Sequence, residues 1–186
     1  MLLDIFPTKI KISKNFLNKK DIDKYLDKVN QMSLKKHAAI IGESLSSHKE
    51  FTNFLENTNL EKRLNEAVAE YCVNCGYENS KIDMSWVNIQ NEGSILKMHH
   101  HGSTPITGAL FLKADEKSSK LCFENPNPFS KIMMYSPLIN NDLNVISFNV
   151  QEGDLFIFPG WLMHGSNYEN NKSQKRIVLS FNCKYI

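Results

Sequence analysis

Ile95-Leu-Lys-Met-His-His-His101, followed by Gly102-Ser103, holds three of the chain's six histidines in a row. Side chains alternate between the two faces of an extended strand. His99 and His101 therefore share one face, and His100 takes the other. Imidazole is a good ligand for iron, zinc, copper or nickel. A His-x-His pair on one strand is a two-point grip that needs a third ligand from elsewhere. The bland alternatives are a polar surface turn or a fragment of an expression tag. The run is internal, has only three members and is embedded in apolar sequence, which argues against a tag.

Outward from this strand, the C-terminal half reads as a succession of short strands. Ile82, Met84 and Trp86 alternate with Asp83 and Ser85, and Asn88 and Gln90 continue on the same parity. Glu92-Gly93 is a turn. Strands follow over 106–112, 120–124, 145–150, 154–158 and from Arg176 to Asn182. Asn125-Pro-Asn-Pro128 breaks the series and opens a loop of about fifteen residues. Seven or eight short strands with turns between them predict a sandwich, jelly roll or barrel. The N-terminal half differs. Residues 3–13 read as an edge strand with Pro7 near its start. Ile22, Tyr25, Leu26 and Val29 mark one helical face, and Leu60, Leu64, Val68, Tyr71, Cys72 and Cys75 mark a second. Thr58 or Asn59 caps the second helix and Gly76 stops it. Residues 33–50 read as irregular, with His37 and His48 as surface residues.

Composition narrows the function classes. At 186 residues, with 41% hydrophobic and 23% charged side chains, the chain is long enough for a core of its own. The net charge of +2 gives no global pull towards nucleic acid or an acidic membrane. There is no leader-like apolar run and no stretch of spanning length, which points to the cytoplasm. The four cysteines fit reduced thiols. Cys72 and Cys75 form a C-x-x-C at the end of a helix, without the second pair that a zinc site wants. An N-terminal edge strand suits a homodimer.

Taken in order, this half contains Trp86-Val-Asn88, His99-His-His101, Thr107-Gly108, Gly153-Asp-Leu-Phe-Ile-Phe-Pro159, Trp161-Leu-Met-His164 and Arg176-Ile-Val-Leu-Ser-Phe-Asn182. This series resembles the double-stranded β-helix iron(II)/2-oxoglutarate oxygenases, and within them a family found in phages and bacteria. Each motif is weak alone. Their order and spacing are more specific, and Ile5-Phe-Pro7 also suits the family. The resemblance implies a mainly-β, cupin-like jelly roll with the N-terminal helices packed on one sheet. Residues 1–186 would form one domain, with helical support over 14–80 and the β-helix core over 81–186. It implies iron(II) held by His99, His101 and His164, and 2-oxoglutarate held through its C5 carboxylate by Arg176. Asn88 is a second cofactor-binding candidate. The implied reaction consumes O2 and 2-oxoglutarate, releases succinate and CO2, and hydroxylates a substrate that the sequence does not specify.

One departure matters. The common facial triad is two histidines and one carboxylate. Position 101 is where the carboxylate would stand, and it is histidine. The family's own H-x-H agrees with this. In the alternative, His101 lies outside the coordination shell and a carboxylate such as Asp154 completes the site. Val178 occupies a position where many such oxygenases have serine, and Ser180 or Asn182 could face the ligand instead. Two other readings stay open. One is a three-histidine cupin-type dioxygenase or isomerase that does not use 2-oxoglutarate. The other is a metal- or ligand-binding module without turnover. Arg176 discriminates between the first of these and the oxygenase.

Overall fold

The computed structural model describes residues 7–48, 53–127 and 144–186. The sequence-predicted strand residues Leu3 and Ile5, and most of the loop after Asn127, lie outside the described residues. In chain order the elements are β1 (Lys11–Ser13), α1 (Lys19–Asn30), β2 (Ile40–Ile41), β3 (Ser44–Ser46), α2 (Asn59–Cys75) and β4 (Ser80–Asn91). Then come β5 (Ile95–Leu96), β6 (Ile106–Lys113), β7 (Leu121–Glu124), β8 (Val145–Phe148), β9 (Leu155–Pro159), β10 (His164–Gly165) and β11 (Lys175–Tyr185).

Both helices start and stop where side-chain chemistry allows. Asn18 Oδ1 accepts from the Asp21 amide at the head of α1. Thr58 Oγ1 accepts from the Glu61 amide, and the Glu61 carboxylate reaches back to the Asn57 amide. These side chains satisfy amides that the first helical turn leaves unpaired. Gly76 ends α2 in the left-handed region (φ 70°), which a residue with a Cβ rarely enters.

The large sheet is antiparallel, in the order β1-β9-β6-β11-β4-β3. β1 stands at its edge, as the early proline predicts. A smaller sheet runs β10-β7-β8, and β2 pairs with β5. A paired bridge between His99 and His164 joins the β5 side to β10. Alternation along the strands divides the apolar residues into two cores. Leu110, Leu112, Leu155, Ile157, Leu179 and Phe181 face the helices and pack with Leu60, Leu64 and Val68. Ala109, Phe111, Phe156, Phe158 and Val178 face the smaller sheet and pack with Leu121 and Phe123. Each fully buried side chain of this size contributes about 1.5–3 kcal/mol. The result is a jelly roll with its helices on one sheet.

Two details differ from the sequence expectation. Ile82 does not share a face with Trp86. The register slips between Asn182 and Cys183, so that Met84 and Ile82 are consecutive partners and Asp83 is extra. This bulge sends Ile82 to the helices and Trp86, Asn88 and Gln90 to the opposite face. The region 33–50 is also less irregular than it reads. It contributes β3 to the large sheet and β2 to β5, so part of the β structure comes from before residue 81.

Candidate metal centre

Between the two sheets lies a cavity of about 250 Å³. All six histidines of the chain line it. His99 and His101 approach from the segment after β5, and His164 from the start of β10. One candidate ligand atom from each lies within 4.8 Å of the others. The ring centroids are 4.4 Å (His99–His164), 5.0 Å (His101–His164) and 5.3 Å (His99–His101) apart. The segment 97–101 is not a regular strand, yet the two odd-numbered histidines still share the cavity. Its anchor is the His99–His164 bridge, with both amide hydrogen bonds at 2.9 Å.

The tautomers follow from the neighbours. His99 Nδ1 meets the Lys97 carbonyl and His164 Nδ1 the Leu162 carbonyl, each at 2.8 Å. His101 Nδ1 meets Asn182 Oδ1 at 2.5 Å. These oxygens only accept, so each Nδ1 carries the proton and each Nε2 keeps a lone pair. Thr107 Oγ1 donates its one proton to the Phe181 carbonyl at 2.8 Å and packs beside this pair, 3.1 Å from Asn182 Oδ1 and 3.2 Å from His101 Nδ1. His100 is the opposite case. It is exposed at the rim, and its Nδ1 accepts from the Gly102 amide at 3.0 Å.

Burial keeps the three inward imidazoles neutral. It holds His99 below the usual histidine range and His164 well below it, and it brings His101 down to about 4 against the opposing hydrogen bond to Asn182. Three neutral nitrogen donors within 4.8 Å of one another suit a divalent transition metal. No Asp or Glu among the described residues lines the cavity. Asp154, the carboxylate weighed as a third ligand, lies elsewhere. It is buried at the head of β9, where it accepts from Lys14 Nζ at 2.6 Å and the Gln151 amide at 2.9 Å. It is a turn device.

Arg176 lines the same cavity from β11 and is 2% exposed. Its guanidinium lies 4.9 Å over the Phe111 ring, and Nη1 donates to Gln90 Oε1. Nε is buried without a hydrogen-bond partner. Burial lowers the pKa to about 10, which leaves the group charged at neutral pH. Among the described residues it has no carboxylate partner. A buried cation in that state is costly unless a ligand neutralises it. Asn88 also lines the cavity. Its Oδ1 accepts from Ser46 Oγ at 2.7 Å, which leaves the amide nitrogen as the group free to donate. Val178, Ser180 and Asn182 follow Arg176 along the cavity face of β11.

The structure adds residues that the sequence did not single out. His37 and His48, which read as surface residues, stand on the cavity wall. His48 packs edge-on to Trp86 at 4.9 Å, and Trp86 lies 5.8 Å from His101. Gln90 had only its strand parity to recommend it.

A family model described as "Putative 2OG-Fe(II) oxygenase" matches residues 84–182, more than half of the chain. The chain belongs to this family. It is a 2-oxoglutarate- and iron(II)-dependent oxygenase, with O2 as the other co-substrate. No curated protein sequence matches it. Solved structures supply the likeness in fold. HygX from Streptomyces hygroscopicus, with nickel and 2-oxoglutarate bound, has a TM-score of 0.67 at 10% identity, covering 96% of this chain and 83% of HygX. SnoN, a non-heme alpha ketoglutarate dependent epimerase from nogalamycin biosynthesis, has 0.68 at 12%, covering 96% and 78%. A Pseudomonas putida prolyl-4-hydroxylase has 0.64 at 11%, covering 96% and 94%. The oxygenase therefore has the double-stranded β-helix fold. No helix among its described residues is long and apolar enough to cross a membrane.

Proposed function

We propose that His99, His101 and His164 hold the iron(II) through Nε2 and that Arg176 receives the distal carboxylate of 2-oxoglutarate. Asn88 is a second contact for the co-substrate, through its amide nitrogen. The observation that carries this reading is the pair of unmet demands in one cavity. Three lone pairs converge on one side, and a buried guanidinium with a free Nε stands on the other. A dianionic 2-oxo acid answers both. Its 2-oxo acid end can chelate the metal, and its far carboxylate matches the planar fork of arginine.

Bound iron(II) and 2-oxoglutarate supply the activation of O2, with release of succinate and CO2. The chain's own residues supply the setting. Lys97 and Leu162 carbonyls and the Asn182 amide fix the imidazole tautomers. Three neutral ligands would leave the iron(II) site, ion and ligands together, with one more unit of positive charge than a set containing a carboxylate. That favours a dianionic co-substrate. Phe111, Phe158 and Trp86 keep the walls apolar and limit water.

The outcome proposed is hydroxylation of a substrate carbon, supported by the likeness to prolyl hydroxylases. Among the relatives in fold, SnoN is an epimerase, so the product decides. Iron(II)-loaded protein with 2-oxoglutarate and O2 is expected to form succinate faster with a candidate substrate. A product that gains one oxygen atom supports hydroxylation. Succinate formation with a product of unchanged mass would refute it.

A further inference from the structure

Ser44, Gln90 and Arg176 form a row across β3, β4 and β11. Ser44 is the register partner of Gln90, and Gln90 is the partner of Arg176. Directly opposed residues of antiparallel strands project from the same face. For Gln90 and Arg176 that is the face lining the cavity. All three are buried, and each carries one polar atom without a hydrogen-bond partner: Ser44 Oγ, Gln90 Nε2 and Arg176 Nε. Such atoms are rare in native interiors, because a buried polar group left unmet keeps its desolvation penalty uncompensated. The Gln90 amide has its orientation fixed by its partner. A guanidinium only donates, so the atom facing Arg176 Nη1 is the carbonyl Oε1. The amide NH2 is left over as a donor, 1% exposed, beside a buried cation.

Given the reading that Arg176 receives the distal carboxylate, we infer that Gln90 is a second direct ligand of that carboxylate. Oε1 holds the guanidinium in orientation. Nε2 donates to one carboxylate oxygen while Arg176 donates to the other. Gln90 thereby helps to select a diacid over 2-oxo monoacids, because a ligand without the far carboxylate leaves two buried donors unmet.

Anaerobic calorimetry on the Fe(II)-loaded protein tests this, with 2-oxoglutarate and pyruvate as titrants. Gln90→Leu keeps the bulk and removes both polar atoms. Gln90→Glu keeps an acceptor for Arg176 but cannot donate and neutralises the cation. The Leu variant is expected to bind 2-oxoglutarate about tenfold more weakly or worse, and pyruvate as before. The Glu variant is expected to lose more. Unchanged 2-oxoglutarate affinity in the Leu variant overturns the inference, as does an equal loss for both titrants. Should the Leu variant fail to fold, unchanged 2-oxoglutarate affinity in the Glu variant overturns it. Failure of the underlying reading has a different signature: Arg176→Ala would then bind 2-oxoglutarate as tightly as the unaltered protein.

Discussion

Asn182 Oδ1 lies 2.5 Å from His101 Nδ1, nearer than Thr107 Oγ1 at 3.2 Å, and is the side-chain acceptor that sets this tautomer. His99 and His164 rely on backbone carbonyls, which mutation cannot remove. The His101 tautomer can therefore be altered by a single substitution. Asn182→Leu is expected to lower iron(II) affinity by about 10–100-fold with little change in fold. Asn182→Asp, which still accepts, is expected to recover part of the loss. Competition with a chelator of known affinity reads both. Equal iron affinity in all three proteins would contradict the role.

Gly108 faces Phe181 across β6 and β11, and a Cβ built on it would stand 2.1 Å from the Phe181 ring. Phe181 is fully buried, so the ring has no open space to move into. Gly108→Ala is expected to cost about 1–3 kcal/mol, read as a fall in the denaturant midpoint. An unchanged midpoint would mean that the core is looser there than it looks.

Acid should weaken the metal-free protein through its imidazoles. Burial lowers the folded-state pKa of His99, His101 and His164 below the ordinary 6.5, with His101 at about 4. The unfolded chain then binds more protons in the window between those values. Stability is fully present above about pH 6.5 and is lost as pH falls towards 4. Denaturant midpoints at pH 7 and pH 5 on protein freed of metal by chelation measure this. Replacing His101 with Gln should flatten the difference.

Burial raises the thiol pKa of Cys72 and Cys122, and raises that of Cys183 to about 12. All three are also inaccessible, whereas Cys75 is partly exposed at the end of α2. Native protein treated with iodoacetamide is expected to be labelled at Cys75 first, and at all four positions once unfolded. Fast labelling of Cys72 would reopen a redox reading of the C-x-x-C.

Much of this site could be read in advance, because the decisive signals are local. Period-two alternation puts His99 with His101 and aligns Arg176 with Ser180 and Asn182. The helix stripes and caps at Thr58 and Gly76 are equally local. What escaped depends on pairing between distant segments. His37 and His48 reach the cavity only because β2 and β3 pair with β5 and β4, and neither strand is long enough to leave a period. The bulge at Asp83 is visible only against the register of β11. Gln90 shows the right parity, but its role needs Arg176 opposite it. Asp154 was a candidate because carboxylates ligate iron; only Lys14, 140 residues away in sequence, reveals its task.

The most direct test is an anaerobic titration of the Fe(II)-loaded protein with 2-oxoglutarate, following the weak visible charge-transfer band of the chelate. The band is expected in the unaltered protein. Arg176→Ala should shift its midpoint to higher 2-oxoglutarate concentration, and His101→Ala should abolish it through loss of iron. A band that survives in His101→Ala with its intensity intact, or a midpoint unmoved by Arg176→Ala, would contradict the three-histidine, one-arginine account.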